Sequence, residues 1–240
     1  MLVLLPPSET KADGGSGAPL DLAALSFPEL TAVRERLVGA LSGLDPAAAS
    51  KALGLSERQA DEVERNARLR EAPTTPAIRR YTGVLYDALD YGSFTRGQRA
   101  RAGRRLAIAS ALFGVVRADD PIPAYRLSGG TVLPGVGGLR GVWRVDLEKA
   151  LSTADDLVVD LRSGPYAALA AVPHAVTVKV VTATGLAVSH FNKAHKGRLA
   201  AALARAPREP GTVRGLVSIA AAAGLRLEAV GKNALELVID

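Results

Sequence analysis

The chain contains no cysteine, which excludes disulfides, a thiol nucleophile, thiolate metal sites and cysteine-ligated iron–sulfur clusters. Histidine is nearly as scarce, with only His174, His190 and His195. His190 and His195 stand five apart across an expected strand-to-helix break, so no metal site is expected. Aromatic residues make up 4% of the chain, so the core must be Leu, Val and Ala, and base stacking on aromatic faces should be minor. No apolar run approaches the length that crosses a bilayer. Met1 is followed by a short apolar run without a cationic leader, so no signal peptide is expected. The P-loop, GxGxxG, GxSxG, HExxH and EF-hand spacings are all missing, as are internal repeats. These absences lead to the expectation of a cytoplasmic protein with no membrane partner and no cofactor.

What is present is a basic, arginine-rich chain of 240 residues. Hydrophobic content of 48% against 22% charged is enough for a packed core. The net charge is +6, and 23 of the 30 basic residues are arginine. The planar guanidinium suits phosphate and carboxylate recognition, so an anionic partner is one explanation of this balance. Biased composition is the other.

Periodicity and punctuation read as alternating strands and helices. Leu2–Leu5 is a continuous apolar run ended by two prolines, hence a buried strand. Apolar spacing predicts a helix over 28–41, a short one over 47–53 ended by Gly54, and a third capped by Ser56 and Gln59 and running toward Glu71. The two helices around Gly54 have the outline of a helix-hairpin-helix or helix-turn-helix unit, although any helical hairpin shares it. Residues 78–83 read as extended and 84–89 as helical. Thr95–Arg105 carries five arginines, the usual mark of a solvated helix face. Strands are expected at 106–112, 156–161, 176–181 and 186–191. Helices are expected at 142–151, from about 192, and at 211–223, with a closing hairpin at 225–239. The expected fold is α/β (α+β): a single compact domain over 1–240, a mixed sheet flanked by helices, with a helical insertion at about 28–72.

Several candidate binding groups sit at expected strand ends, where α/β proteins place ligand contacts. Lys11 follows the first strand. Arg79 and Arg80 precede Gly83, which lets the chain turn or approach a ligand. Arg117 and Arg126 bracket a segment stiffened by Pro121 and Pro123, which could hold two guanidiniums rigidly around one anion. The alternative is that Arg117 pairs with Asp119 or Asp120 and only pins the loop. Ser163 opens a strand–turn–helix geometry suited to anions, or is an ordinary N-cap. Lys193 and Lys196 share a helix face near an N-terminus, against the helix dipole. Lys193, Tyr125 and Tyr166 are the candidate proton-transfer or nucleophilic groups.

Several segments together resemble the YaaA family. They are Leu2-Val-Leu-Leu-Pro-Pro-Ser-Glu-Thr-Lys11, Tyr81-Thr-Gly-Val-Leu-Tyr86, Ser110-Ala-Leu-Phe-Gly-Val-Val-Arg117 with Pro121 and Tyr125-Arg-Leu127, Trp143, Asp160-Leu-Arg-Ser163 with Tyr166, and Ser189 to Gly197. The resemblance implies a compact α/β fold with a helix-hairpin-helix-like portion and a basic cleft, in a cytoplasmic protein associated with bacterial peroxide stress, with DNA binding as the proposed activity. Carried over by position, the cleft groups are Lys11, Arg117, Tyr125, Arg126, Ser163, Tyr166, Lys193 and Lys196. The chain departs from the family pattern at Trp143-Arg-Val, where Trp-Gly-Asp is usual, and at Pro165, where an acid is usual. It also has Asp160 for an asparagine and Lys196 for an arginine.

Two functions are therefore expected to compete. The first is salt-dependent nucleic-acid binding, with Lys11, Arg79, Arg80, Arg117, Tyr125, Arg126, Ser163, Tyr166, Lys193 and Lys196 facing DNA phosphates. The second is an enzyme acting on a small phosphorylated, nucleotide-like or carboxylate substrate in the same cleft, within a biosynthetic pathway for example. A closed pocket favours the second reading and an open, duplex-wide groove the first. A monomer is expected.

Overall fold

The computed structural model describes residues 1–188 and 192–239. Among the described residues, seven strands form the central sheet: β1 Leu2–Leu5, β2 Leu106–Ser110, β3 Gly114–Arg117, β4 Val158–Asp160, β5 Val176–Thr182, β6 Arg226–Gly231 and β7 Ala234–Ile239. Their order across the sheet is β6-β7-β5-β4-β1-β2-β3. The five inner strands run parallel, and the hairpin strands β3 and β6 run antiparallel at the two edges. Parallel strands covered on both faces carry continuous apolar runs. Leu2, Val3, Leu4 and Leu5 accordingly have no exposed surface.

Among the described residues, ten α-helices accompany the sheet. The long crossover from β1 to β2 holds α1 Thr31–Ser42, α2 Pro46–Leu53, α3 Ala60–Ala67, α4 Ala77–Arg80, α5 Val84–Leu89 and α6 Arg96–Arg105. The remainder are α7 Leu139–Ser152, α8 Gly164–Ala167, α9 Asn192–Arg205 and α10 Val213–Ala222. Asp45 caps α2 by accepting from the amides of Ala47 and Ala48, and Gly54 ends it at φ 63°. The Ser56–Gln59 capping box is present, but it opens a 3-10 turn before α3.

Three expectations need correction. Residues 77–80 are helical rather than extended, because Ala77 N–H donates to Asp120 O and Ile78 N–H to Ala118 O, which fixes that turn from outside. The third helix stops at Ala67 rather than near Glu71. Its Asn66 is buried, accepting from Arg126 N–H at 2.8 Å and donating to Arg126 O at 2.8 Å. Of the strand expected at 186–191, the described residues 186–188 make a single bridge, Val181–Ala187, and Ser189, His190 and Phe191 lie outside the described residues.

The β2–β3 turn shows how tightly the core is fitted. Gly114 sits at φ 73°, and a Cβ there would stand 2.8 Å from the ring of buried Trp143. Trp143 is held by donating Nε1–H to Ala111 O at 2.8 Å. Gly114→Ala adds left-handed strain to overpacking, an expected loss of roughly 2–5 kcal/mol. A lower denaturation midpoint at unchanged slope is the measurement that checks it.

Candidate functional site

From β1 the chain passes to β2 on one side of the sheet and later to β4 and β5 on the other. The sheet therefore has a topological switch point at β1/β4, and a crevice opens outside the carboxyl ends of strands at such a point. A recess of about 850 Å³ lies there. The segment after β1 forms one wall with Pro6 to Thr10, and the segment after β4 forms another with Leu161 to Tyr166. Thr82 to Tyr86 at the start of α5, Ser128 to Gly130, and Asn192, Lys193 and Lys196 of α9 close it.

Close packing of α9 on α5 brings the lysines to this recess. A Cβ on Gly197 would stand well inside van der Waals contact distance of the Leu85 carbonyl oxygen, so only glycine permits this close packing. Gly197→Ala is expected to force the two helices apart and displace Lys193 and Lys196. Hydrogen exchange should show protection falling in α5 and α9 while β1 stays protected.

Lys196 is half-buried and donates Nζ–H to Leu161 O at 3.1 Å and Arg162 O at 3.5 Å. Burial lowers its pKa, and the Asp160 charge opposes that shift. Asp160 itself is gripped by Arg162 through Nε (3.0 Å) and Nη2 (2.7 Å). Lys193 is exposed at the rim. The hydroxyls of Ser8, Thr10 and Thr82 adjoin one another at 3.1 Å on the opposite wall. Tyr166 is buried, and burial raises its pKa well above the ordinary phenol value, with Glu9 and Tyr81 adding to the shift. At neutral pH its hydroxyl is therefore a donor, not a base.

The structure divides the candidates expected from sequence into three groups. Ser163, Tyr166, Lys193 and Lys196 line the recess. Lys11, Tyr125 and Arg126 lie beside the Ser8–Glu9 wall. Lys11 Nζ donates to Ser8 O at 3.2 Å, and Arg126 meets Glu9 at 3.3 Å. Lys11 Nζ also stands 4.3 Å from the Tyr125 ring centroid. Arg79, Arg80 and Arg117 are elsewhere, which corrects their expected place in the cleft. Arg117 pairs with Ala107 near the amino end of β2, the opposite end of the sheet from the recess. Its guanidinium donates to Arg104 O and lies over Phe27. The loop it begins is pinned by Asp120, which accepts from Arg117 N–H and from Ser26. Arg80 is fully buried and donates to the carbonyls of Ala12, Gly14, Pro73 and Ile122. Arg79 is exposed beside Tyr91.

Sequence reasoning missed Thr82, Asn192 and the Ser128-Gly129-Gly130 turn. The two glycines were the available signal: Gly129 packs against the Tyr166 ring, where a Cβ would stand 3.4 Å away.

The family model described as peroxide stress protein YaaA matches residues 1–229. A UPF0246 protein of Corynebacterium efficiens is 52% identical over 236 residues, covering 95% of each chain. A UPF0246 protein of Corynebacterium glutamicum is 49% identical over 236 residues with the same coverage. One from Streptomyces coelicolor is 48% identical over 214 residues, 85% of this chain and 82% of its own. None of these names states a substrate or a partner.

Proposed function

Because the chain belongs to the YaaA peroxide-stress family, we propose that it serves that response by holding a phosphate- or carboxylate-bearing small molecule at the carboxyl end of its sheet. The observation that carries this reading is the recess itself. Its volume of about 850 Å³ falls among small-molecule sites, and one wall presents Lys193 and Lys196. The neighbouring carboxylate, Asp160, is engaged by Arg162, so Lys196 is hydrogen-bonded to carbonyls rather than neutralised by an ion pair. Pro6, Pro7, Val84 and Leu85 add an apolar surface against which an uncharged part of the ligand packs. Tyr166 supplies a proton donor.

Nucleic-acid binding is the second reading, favoured by one feature. The recess shares Ser128 and Gly130 with a further concavity of about 620 Å³ lined by Lys51 to Gly54 at the end of α2. A strand could run from the lysine wall to that helical hairpin. Against it, many arginines that raise the net charge are directed inward, among them Arg34, Arg80 and Arg105, whose guanidiniums grip main-chain carbonyls.

A melting screen with inorganic phosphate, sugar phosphates, mononucleotides and dicarboxylates, run beside titration of a labelled duplex over a salt series, tests both. The proposal expects a concentration-dependent rise in midpoint with small anions. No shift with any of them, together with duplex binding that weakens steeply with salt, would transfer the reading to nucleic acid.

A further inference from the structure

Among the described residues, two of the large apolar side chains that stand exposed mark adjoining concavities. Val84, 54% exposed, lines the recess, and Val132, 66% exposed, lines the second concavity of about 620 Å³ beside α2. Val132–Leu133 pairs with Gly137–Gly138 in a short hairpin, where strand alternation turns Leu133 into the core and Val132 outward. Ala48, Ala52, Leu53 and Pro134 line the same concavity, so its apolar surface is contiguous rather than one stray side chain. Ser128 and Gly130 line both concavities, which makes the 128–131 turn the saddle between them. That turn is closed on itself. Thr131 N–H donates to Ser128 O at 3.1 Å, and the Ser128 and Thr131 hydroxyls are 3.2 Å apart. A Cβ on Gly130 would meet nothing within 4 Å, so the saddle stays low because that position carries no side chain.

We propose that the ligand of the recess is an amphiphile. Its anionic head lies against Lys193 and Lys196, and an aliphatic arm crosses the Gly130 saddle to lie on Ala52, Leu53 and Val132. The ligand class is thereby narrowed from any small phosphate or carboxylate to an alkyl or acyl one. The proposal rests on the recess being an anion site. Charge on the lysine wall fixes the orientation of the head, and the arm adds affinity by taking apolar surface out of water. The chemistry of the second concavity selects this arm over a nucleotide strand. Among the described residues its lining holds one charged group, the exposed Lys51, and no aromatic ring. A single solvated lysine offers a phosphodiester little, and a base finds no ring to stack on. Aliphatic walls suit a saturated chain.

Calorimetric titration with inorganic phosphate, then ethyl, butyl and hexyl phosphate, and in parallel with acetate, butyrate and hexanoate, tests this. Affinity should rise with arm length in at least one series, roughly threefold for each methylene that reaches the aliphatic walls. Two variants locate the arm. Gly130→Val raises the saddle, and because Gly130 lies outside the left-handed region the valine adds bulk without backbone strain. Val132→Asp places a charge on the far wall at an exposed position. Both, shown to be folded by circular dichroism, should bind inorganic phosphate and acetate like the parent and lose the gain from the longer arm. Hexyl phosphate and hexanoate that bind no tighter than ethyl phosphate and acetate overturn the proposal. So does a gain that survives in both variants, since the arm then lies elsewhere. A short oligothymidylate that binds where the alkyl series shows no gain would give the second concavity to a strand. A parent chain that binds none of these anions would sink the recess reading itself.

Discussion

Arg80→Met should lose about 2–5 kcal/mol, because the buried Ile122 carbonyl is left without its donor and the part-buried carbonyls of Ala12 and Gly14 lose theirs. That is a large share of the ~5–15 kcal/mol that separates folded from unfolded domains, so the denaturation midpoint should fall well below that of the parent. The guanidinium joins the 12–14 loop, Pro73 and the Pro121–Ile122 strand, three segments far apart in the chain. A planar fork of donors does this where a lysine cannot. Its neighbour gives the control. Arg79 is exposed, and Arg79→Met should stay within about 0.5 kcal/mol of the parent. Denaturation midpoints of the two variants, measured side by side, decide the matter; equal losses would mean that the inward network does not hold the fold.

Lys196→Met should leave the fold standing and weaken anion binding about 10- to 100-fold, the worth of a hydrogen bond to a charged group at roughly 1.5–3 kcal/mol. The methionine keeps the packing of the half-buried stem and removes only the ammonium. Lys196→Arg keeps the charge and should retain most of the affinity. Lys193→Met, at the exposed rim, should cost less and depend more on salt. Calorimetric titration of the best small anion from the melting screen compares all three. A Lys196→Met variant that binds like the parent would remove the lysine wall from the account.

The alternation of apolar runs with capped helices was legible because each signal is local. Leu2–Leu5 is apolar throughout and ends at prolines, Gly54 ends α2, and the Ser56–Gln59 capping box stands ahead of α3. Where the third dimension acted on a segment, the local reading failed. Residues 77–80 coil because carbonyls from the 118–120 segment take their amides, and α3 ends where Asn66 turns to clamp Arg126. The site was half legible for the same reason. Residues just past β1 and β4 were marked by their position after buried strands, and Ser163, Tyr166, Lys193 and Lys196 do meet at the recess. The fate of each arginine was not legible, because its acceptors are carbonyls from distant segments. Arg80 and Arg117 look alike in sequence to a cleft arginine, yet one pins loops and the other sits at the far end of the sheet.

On the proposed reading, the charge that matters lies at the carboxyl end of β1 and β4, and not along the 117–126 loop. Paired titrations of a phosphate-bearing small molecule into Lys196→Met and Arg117→Met test it most directly, with circular dichroism confirming that both are folded. Affinity should be lost in the first and kept in the second. Affinity lost in Arg117→Met and kept in Lys196→Met would contradict it.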